Sequence, residues 1–228
     1  MMTANSISLE TIQKINTEGH ANVQRRKQVR DAHAAGQKPR VLLVGPLHPA
    51  ESGIVGFQRQ AIAALSAYAD VSMVNVVLGG EDAPNPMFMG TLVGTLHLRK
   101  PASWWRVAKA LAEHDFDVAC VTVWMPFALP AYRVLLSALR RRGIRTATLV
   151  HSYVPRRMRL VMQAATRALI RMTDEVVALE GVAEWMVPDD TNWVLHPVYT
   201  HHGERVDRAD ACRALGFPCA HELGNMFG

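Results

Sequence analysis

The sequence is poor in cysteine and lacks the long apolar runs of a membrane protein. Its three cysteines, Cys120, Cys212 and Cys219, are spaced neither like the ligands of a metal site nor like the pairs of a disulfide framework. This pattern predicts that the protein works in a reducing compartment. No window of about 18 apolar residues occurs, so no transmembrane helix is expected. The polar N-terminal region has no apolar core typical of a secretory signal. A cytoplasmic location is therefore predicted.

Motifs that bind nucleotides or metals are also missing. The first apolar run, residues 41–44, is not followed by G-x-G-x-x-G, and no Lys-Ser/Thr pair closes the next loop, which argues against a nucleotide-hydrolysing P-loop. The adjacent His201 and His202 cannot easily bind one metal ion together, and no other set has convincing spacing. We therefore expect neither a metal nor a cofactor.

What the chain does have is apolar content and positive charge. It contains 228 residues, of which 49% are hydrophobic, enough for one large domain or one domain with extensions. A net charge of +5 favours anionic partners: phosphorylated substrates, nucleic acid or an anionic membrane surface. Residues 1–38 form a polar leader with a basic cluster at Arg25, Arg26, Lys27 and Arg30. It either touches such a surface or is a solvated, partly helical tail.

Strand and helix patterns alternate along the rest of the chain. Short apolar runs of the kind buried on both faces of a parallel sheet are separated by amphipathic segments with helical spacing. The predicted strands are 41–44, 70–77, 91–98, 118–123, 146–150, 175–179 and 193–195. One predicted helix begins after Ser52, and the others cover residues 102–113, 130–142, 156–172 and 181–186. The fold class is α/β, a single doubly wound, mostly parallel sheet of Rossmann-like architecture flanked by helices.

In such sheets, function collects at the carboxyl ends of the strands. The loop after the first strand ends at Ser52-Gly53-Ile54, where a helix begins and its free N–H groups can receive an anion. An ordinary strand-to-helix turn would have the same pattern. His151 ends a central strand, where it either takes part in acid–base or hydrogen-bonding chemistry or bonds to neighbouring backbone.

Two further groups belong to the same predicted edge. Trp124 and Phe127 follow a buried strand and either stack on a sugar, pack a lid or pack in the core. Arg156 and Arg157 open a helix whose other face carries Leu160, Val161, Ala164, Ala168 and Leu169. Such a basic amphipathic helix lines a phosphate site, lies on anionic lipid, or presents a solvated charged face over the core.

Several short motifs, in order, resemble the N-terminal half of a family 4 glycosyltransferase of the GT-B type. The matching segments span roughly residues 39–218. In chain order, Ser52-Gly53-Ile54 matches the family's glycine-rich loop, and Trp124-Met125-Pro126-Phe127 matches its W-x-P-F motif. His151-Ser152-Tyr153-Val154-Pro155-Arg156-Arg157 matches H-N-x-x-P-H-E, and Thr173-Asp174-Glu175-Val176-Val177 matches the strand that follows it. Further on, His196-Pro197-Val198-Tyr199 matches H-P-x-Y, and Cys212-Arg213-Ala214-Leu215-Gly216 matches a-R-x-x-L-G.

The resemblance implies an acceptor-binding half of a retaining enzyme that transfers a hexosyl group from a nucleotide-sugar to a sugar or lipid-linked acceptor, as in polysaccharide biosynthesis. His151 would be the catalytic residue near the reacting carbon. The loop Ser52, Gly53 and Ile54 would approach the donor phosphates. Trp124, Phe127, Tyr153, Arg156 and Arg157 would bind the acceptor, with no metal.

The sequence also departs from that family. Ser152 replaces the usual Asn, and Arg156-Arg157 replace His-Glu, which favours a phosphorylated acceptor. Residues 1–38 are expected to be an extension, 39–218 the acceptor-side domain, and 219–228 the truncated start of a donor-binding domain. We therefore expect little activity of the chain alone, and a separate C-terminal half as a partner.

Two other interpretations stay open at this point. One is a non-catalytic truncated domain that binds a glycan or a protein. The other is a generic Rossmann-like binding module. Nucleic acid is not expected as a partner, because stacking motifs are missing. Peripheral contact with the inner face of an anionic membrane is expected to accompany the basic segments.

Overall fold

A computed structural model describes residues 31, 36–47, 53–79, 90–151, 159–179, 187, 189, 191–194 and 207–216. Seven strands form one sheet in these ranges. They are β1 (Arg40–Gly45), β2 (Asp70–Val77), β3 (Thr91–His97), β4 (Val118–Val123), β5 (Arg145–Val150), β6 (Glu175–Leu179) and β7 (Asn192–Val194). The predicted strands at 70–77, 118–123 and 175–179 are confirmed at their predicted bounds, and the others to within one or two residues.

The strands run in the order β3-β2-β1-β4-β5-β6-β7, and every neighbouring pair is parallel. The chain therefore starts in the middle of the sheet, moves outward through β2 to β3, and returns past β1 to build the other half. This confirms the predicted α/β, doubly wound Rossmann-like sheet. The order reverses between β1 and β4, where Val41 is in register with Val118 and Val44 with Val121. In this architecture, ligands bind at the carboxyl ends of the strands on either side of such a reversal.

Four helices connect the strands in the described residues of this unit. They are α1 (Gly53–Ser66), α2 (Pro101–Ala110), α3 (Leu129–Arg141) and α4 (Arg159–Ile170), with short 3₁₀ turns at Leu111–Glu113 and Pro126–Ala128. Proline in the first turn helps α2 and α3 begin, because its missing N–H would have no helical partner there. At the end of α3, Gly143 adopts a φ of 71° and fills the predicted C-terminal capping position. The predicted helix at 181–186 lies outside the described residues.

Alternate side chains of the central strands point to opposite faces of the sheet, and each face has its own layer of core. On one face, Leu42 and Val44 of β1 pack with Val107 of α2, Leu135 of α3 and Leu169 of α4. On the other face, Val41, Leu43 and Met73 pack with Ile62 of α1. Because successive side chains of a strand point to opposite sides, a run without polar residues needs cover on both. The helices α2, α3 and α4 therefore form one layer and α1 contributes to the other.

One prediction about α4 is wrong. Leu160 and Val161 were expected to lie on its core face, but 79% and 56% of their surfaces are exposed. The helix packs through its other end instead, where Leu169 is buried and Ile170 lies against the core. Helical spacing identified an apolar face without showing how much of its length has a partner.

The chain divides into two compact units, Met1–Pro197 and Val198–Gly228. In the second unit the structure describes one helix, α5 (Arg208–Leu215). Asp207 caps its start by accepting a hydrogen bond from the Ala209 N–H at 2.8 Å, and Gly216 ends it with a φ of 70°. The predicted boundaries at residues 38 and 218 stay predictions. None of the described helices has the length and apolar character needed to cross a membrane.

Candidate functional site at the carboxyl edge of the sheet

The candidate site is built around the point where the strand order reverses. Gly45 ends β1, Thr122 lies near the end of β4, and His151 directly follows β5. Helix α1 begins at Gly53, after the loop that follows β1. Its first two turns bring Phe57 and Gln58 to this edge, although both lie far from β4 and β5 in sequence.

Gln58 ties α1 to the sheet. Its side chain is 1% exposed and donates a hydrogen bond from Nε2 to Oγ1 of Thr122. The amide passes directly over Gly45, where an added Cβ would overlap Nε2 of Gln58 and lie 3.2 Å from Cβ of Thr122. A larger residue at position 45 would therefore have to displace the Gln58 amide from its hydrogen bond. A buried amide that is hydrogen-bonded fixes the position of the elements it joins, since leaving its partner unsatisfied is costly.

Phe57 lies against His151. The two rings meet edge to face, with centroids 4.7 Å apart and an angle of 66° between their planes. Phe57 is buried, and His151 is half-buried. Aromatic pairs favour this arrangement, because the positive edge of one ring faces the negative face of the other. Helix α1 thus restricts the orientation of the imidazole that follows β5.

A second hydrogen-bonded group lies beneath the edge. The Tyr132 hydroxyl, on α3, donates to the carbonyl oxygen of Thr122 at 3.1 Å. Burial raises the pKa of this hydroxyl, and the nearby Trp124 side chain lowers it to a smaller extent. The indole nitrogen of Trp124 is itself buried and makes no hydrogen bond of normal geometry. Thr122 therefore receives hydrogen bonds from both sides of the sheet, one to its side chain and one to its backbone.

The start of the β1 loop is also held in place. Asn75, near the end of β2, accepts a hydrogen bond on Oδ1 from the backbone N–H of Leu47 at 2.9 Å. Asn75 is buried, so this bond is protected from water. The hydrogen bond from Leu47 to Asn75 of the neighbouring strand β2 fixes the start of the loop after β1, and the loop ends where α1 begins at Gly53.

The structure brings only some of the predicted site residues together. Gly53 and Ile54 open α1, His151 contacts α1 through Phe57, and Trp124 packs beside Tyr132. Phe127, in the turn after β4, exposes 64% of its surface. Ser52, Tyr153, Arg156 and Arg157 lie outside the described residues, so their predicted roles in phosphate and acceptor binding stay predictions.

Sequence reasoning missed Phe57, Gln58, Thr122 and Tyr132 as parts of this site. Phe57 was assigned to the apolar face of the helix, and the other three were not singled out. One signal was available: Gln58 is a polar residue next to Phe57 on a helix face that is otherwise apolar at Val55 and Ile62. A buried amide in such a position needs a partner. Its partner, 64 positions away in β4, is a consequence of the topology alone.

No group of three or more His, Cys, Asp or Glu side chains in the described residues is arranged to hold a metal ion. The described side chains at this edge offer hydrogen bonds and ring surfaces. A half-buried imidazole can donate to a hydroxyl or carry a proton near neutral pH. The start of a helix can receive an anion, and an exposed phenyl ring can cover an apolar sugar face.

Comparisons with known proteins complete the description. No protein-family model and no curated protein matches this chain. Among solved structures, an alpha-glucosyltransferase in complex with UDP aligns with a TM-score of 0.46 and 14% identity, over 71% of this chain and 45% of its own. The nucleoside-diphosphate-sugar epimerase from Agrobacterium tumefaciens aligns with a TM-score of 0.38 and 12% identity, over 63% of this chain and 52% of its own.

These similarities are too distant to assign a family. The chain spans less than half the length of the alpha-glucosyltransferase. A further structure of an alpha-glucosyltransferase contains UDP-glucose and DNA with an abasic site, at a TM-score of 0.44 and 12% identity over 70% of this chain and 42% of its own. The expectation that nucleic acid is not a partner gains no support from it.

Proposed function

We propose that this chain is a nucleotide-sugar-dependent glycosyltransferase domain that contributes the acceptor-binding side of the active site. The observation that carries the proposal is the placement of His151 at the carboxyl end of β5, held by Phe57 of the same helix that begins with Gly53 and Ile54. One helix thus presents both a candidate phosphate-binding terminus and the support for a candidate catalytic imidazole. The motif resemblance in the sequence gives the same residues the same roles.

In the proposed reaction, a hydroxyl oxygen of the acceptor forms a bond to the anomeric carbon of the donor sugar. The bond from that carbon to the diphosphate oxygen breaks, and the nucleoside diphosphate leaves with the electron pair. The acceptor oxygen approaches the carbon on the same face that the diphosphate leaves, so the configuration is retained, and the acceptor proton passes to the leaving phosphate. His151 would donate a hydrogen bond to a donor-sugar hydroxyl, which orients the reacting carbon. No metal or cofactor takes part in this proposal.

Acceptor binding is proposed for the aromatic and basic residues at the same edge. Phe127 is the best placed of the described ones, because its exposed ring can cover one face of a sugar. Trp124 would act mainly as support, since its indole is half-buried beside Tyr132. Tyr153, Arg156 and Arg157 are proposed to complete the site for a phosphorylated or lipid-linked acceptor.

We expect full turnover only when a second, donor-binding domain completes the cleft, supplied by a longer form of the chain or by a separate C-terminal half. A site formed between two domains gains much of its rate from holding both substrates in a fixed geometry. The described domain by itself should bind ligands weakly and transfer slowly.

The test is a binding and turnover assay with a panel of UDP-, GDP- and ADP-sugars, on this chain and on the chain extended through the sequence that follows it. We expect nucleotide release from the extended form and its loss in His151→Ala. His114→Ala is the matched control, since His114 lies after α2, away from the strand ends that form the site. If neither form binds or turns over a nucleotide-sugar, the proposal fails. A non-catalytic domain would then be supported if glycan or protein binding is found instead.

A further inference from the structure

The helix layer formed by α2, α3 and α4 contains no carboxylate. All three helices pack on the same face of the sheet, with α2 against α3 and α3 against α4. None of the three contains Asp or Glu. Seven of their residues are basic: Arg106, Lys109, Arg133, Arg140, Arg141, Arg159 and Arg167. Glu113 lies in the 3₁₀ turn directly after α2, so the basic residues still outnumber carboxylates and create a net positive field over that face.

Five of these cations are exposed and have no ion-pair partner among the described residues. Arg106, Lys109, Arg133, Arg141 and Arg167 are solvent-exposed, and none forms an ion pair with a residue in the part of the chain that the structure describes. By contrast, arginines at the amino edge of the sheet are paired, as Arg40 is with Asp117 and Arg145 with Glu175. The positive charge of the helix layer is therefore available to a partner.

The same layer exposes large apolar side chains. Trp105 of α2 is 66% exposed, Phe127 is 64% exposed, and Leu160 and Val161 in the first turn of α4 are 79% and 56% exposed. Phe127, Leu160 and Val161 lie at or just before a helix beginning, which in parallel α/β units is at the carboxyl edge of the sheet, and Trp105 lies midway along α2. The turn Pro126–Ala128 packs against α4, so Phe127 and the start of that helix belong to one surface. Single exposed apolar side chains are common, but a contiguous apolar patch on the surface marks an interaction site.

From this combination we propose that the α2–α4 layer docks on an anionic phospholipid bilayer. The ring of Trp105 and the aliphatic side chains of Leu160 and Val161 would enter the boundary between head groups and acyl chains, while the arginines and lysine contact lipid phosphates. This proposal does not depend on the glycosyltransferase activity. The sequence composition predicted peripheral membrane contact without identifying the surface that makes it, and the proposal assigns that contact to the α2–α4 layer.

A nucleic acid would match the charge but not the apolar residues. Arginine and tryptophan are suited to phosphates and bases, and Phe127 can stack on a base. Leu160 and Val161, however, are aliphatic and gain little from a polar duplex surface. Because both are exposed, aliphatic and in one helical turn, replacing them distinguishes burial in lipid from contact with a nucleic acid.

Docking by this layer would also orient the candidate site. Phe127 follows β4 by four residues, and His151 directly follows β5, so the apolar end of the surface and the candidate site share the carboxyl edge of the sheet. A lipid-linked substrate held in the bilayer would then reach the site from the membrane side.

The test is flotation of the full chain with vesicles of phosphatidylglycerol and phosphatidylcholine, and with vesicles of phosphatidylcholine alone. We expect binding to the anionic vesicles only, weakened by added salt. Arg106→Gln/Lys109→Gln should reduce the affinity about fivefold for each cation removed. Leu160→Ser/Val161→Ser should also reduce it, and because both side chains are exposed the fold should be kept, which thermal unfolding checks. Arg59→Gln, on α1 and therefore in the opposite layer, is the matched control and should bind like the unchanged chain.

Three results would overturn the proposal. One is equal binding to neutral and anionic vesicles. Another is an equal loss of binding in Arg59→Gln, which would indicate general charge rather than this layer. The third is tighter binding to duplex DNA than to vesicles, with the same dependence on Arg106 and Lys109 and no effect of Leu160→Ser/Val161→Ser; that result would assign the layer to nucleic acid.

Discussion

The ring of Phe57 meets the imidazole of His151 edge to face, with centroids 4.7 Å apart. The contact joins the first half of α1 to the residue that follows β5, across the strand β4 that lies between β1 and β5. It links the candidate phosphate-binding helix to the candidate catalytic side chain. A substitution in α1 should therefore alter the surroundings of His151, and a substitution at His151 should alter the packing of α1.

Replacing Phe57 should alter the surroundings of His151. In Phe57→Leu we expect the chemical shifts of the His151 ring protons to change, because a neighbouring aromatic ring is lost. Phe57→Ala should lower the free energy of unfolding by about 3–5 kcal/mol, as for other buried phenylalanines. Proton NMR checks the first, with His151→Ala to assign the signals, and urea unfolding the second.

Phe116→Leu is the matched control. Phe116 is buried beside His114, with ring centroids 6.0 Å apart, so this change should affect the His114 signals and not those of His151. Unchanged His151 shifts in Phe57→Leu would contradict the contact.

Gly45 and Gln58 should be coupled. Gly45→Ala places a Cβ against the Gln58 amide, and we expect a loss of about 1–3 kcal/mol in the free energy of unfolding. In Gly45→Ala/Gln58→Ala the loss should be smaller than the sum of the two single changes, because the second change removes the overlap. Urea unfolding of the four proteins measures this. Gly79→Ala, where an added Cβ meets nothing within 4 Å, should be nearly neutral. Additive losses at positions 45 and 58 would refute the close approach.

Asp117 should matter more for stability than Asp115. Asp117 accepts hydrogen bonds from the backbone N–H of Arg40 at 2.7 Å and from its Nη2 at 3.0 Å, and its side chain is largely covered. Asp115 lies 3.6 Å from Nη1 of Arg40 but is well exposed. We expect Asp117→Ala to cost about 1.5–3 kcal/mol and Asp115→Ala less than about 1 kcal/mol in thermal or urea unfolding. Equal costs would show that the backbone hydrogen bond contributes little.

The Cys120 thiol should be unreactive in the folded protein. Burial raises its pKa to about 12, so at about pH 8 almost none is present as the reactive thiolate. In a Cys212→Ser/Cys219→Ser background, iodoacetamide should label Cys120 slowly without urea and quickly in urea. Cys120 is half-buried against the core, and rapid labelling of the folded chain would contradict the raised pKa of its thiol.

The same shift has a consequence for stability. An unfolded cysteine loses its proton near pH 8.5, whereas Cys120 in the fold retains it until about pH 12. Between these values the unfolded state binds fewer protons, so the free energy of unfolding should fall as the pH rises. Urea unfolding at several alkaline pH values checks the slope, and Cys120→Ala should flatten it.

The strands and most helices could be predicted because their signals are local. Runs such as Val41–Val44 and Val118–Val123 contain no alternation, which is typical of strands covered on both faces, and they form the centre of the parallel sheet. Gly143 followed a basic helix end and proved to be its left-handed cap. The candidate site was predicted only by position: the rule that ligands bind at strand carboxyl ends selected His151 and Trp124, which follow β5 and β4, without showing what they contact.

By itself the sequence determined which segments become strands and helices, and that they alternate into a doubly wound sheet, since apolar periodicity records which faces must be buried. Only the tertiary structure decided which faces meet. It joined Phe57 to His151 and Gln58 to Thr122 over Gly45, and it left Leu160 and Val161 exposed beside a layer of cations. The physical reason is that periodicity describes a residue's own element, whereas a contact between distant residues depends on the order in which the strands pair.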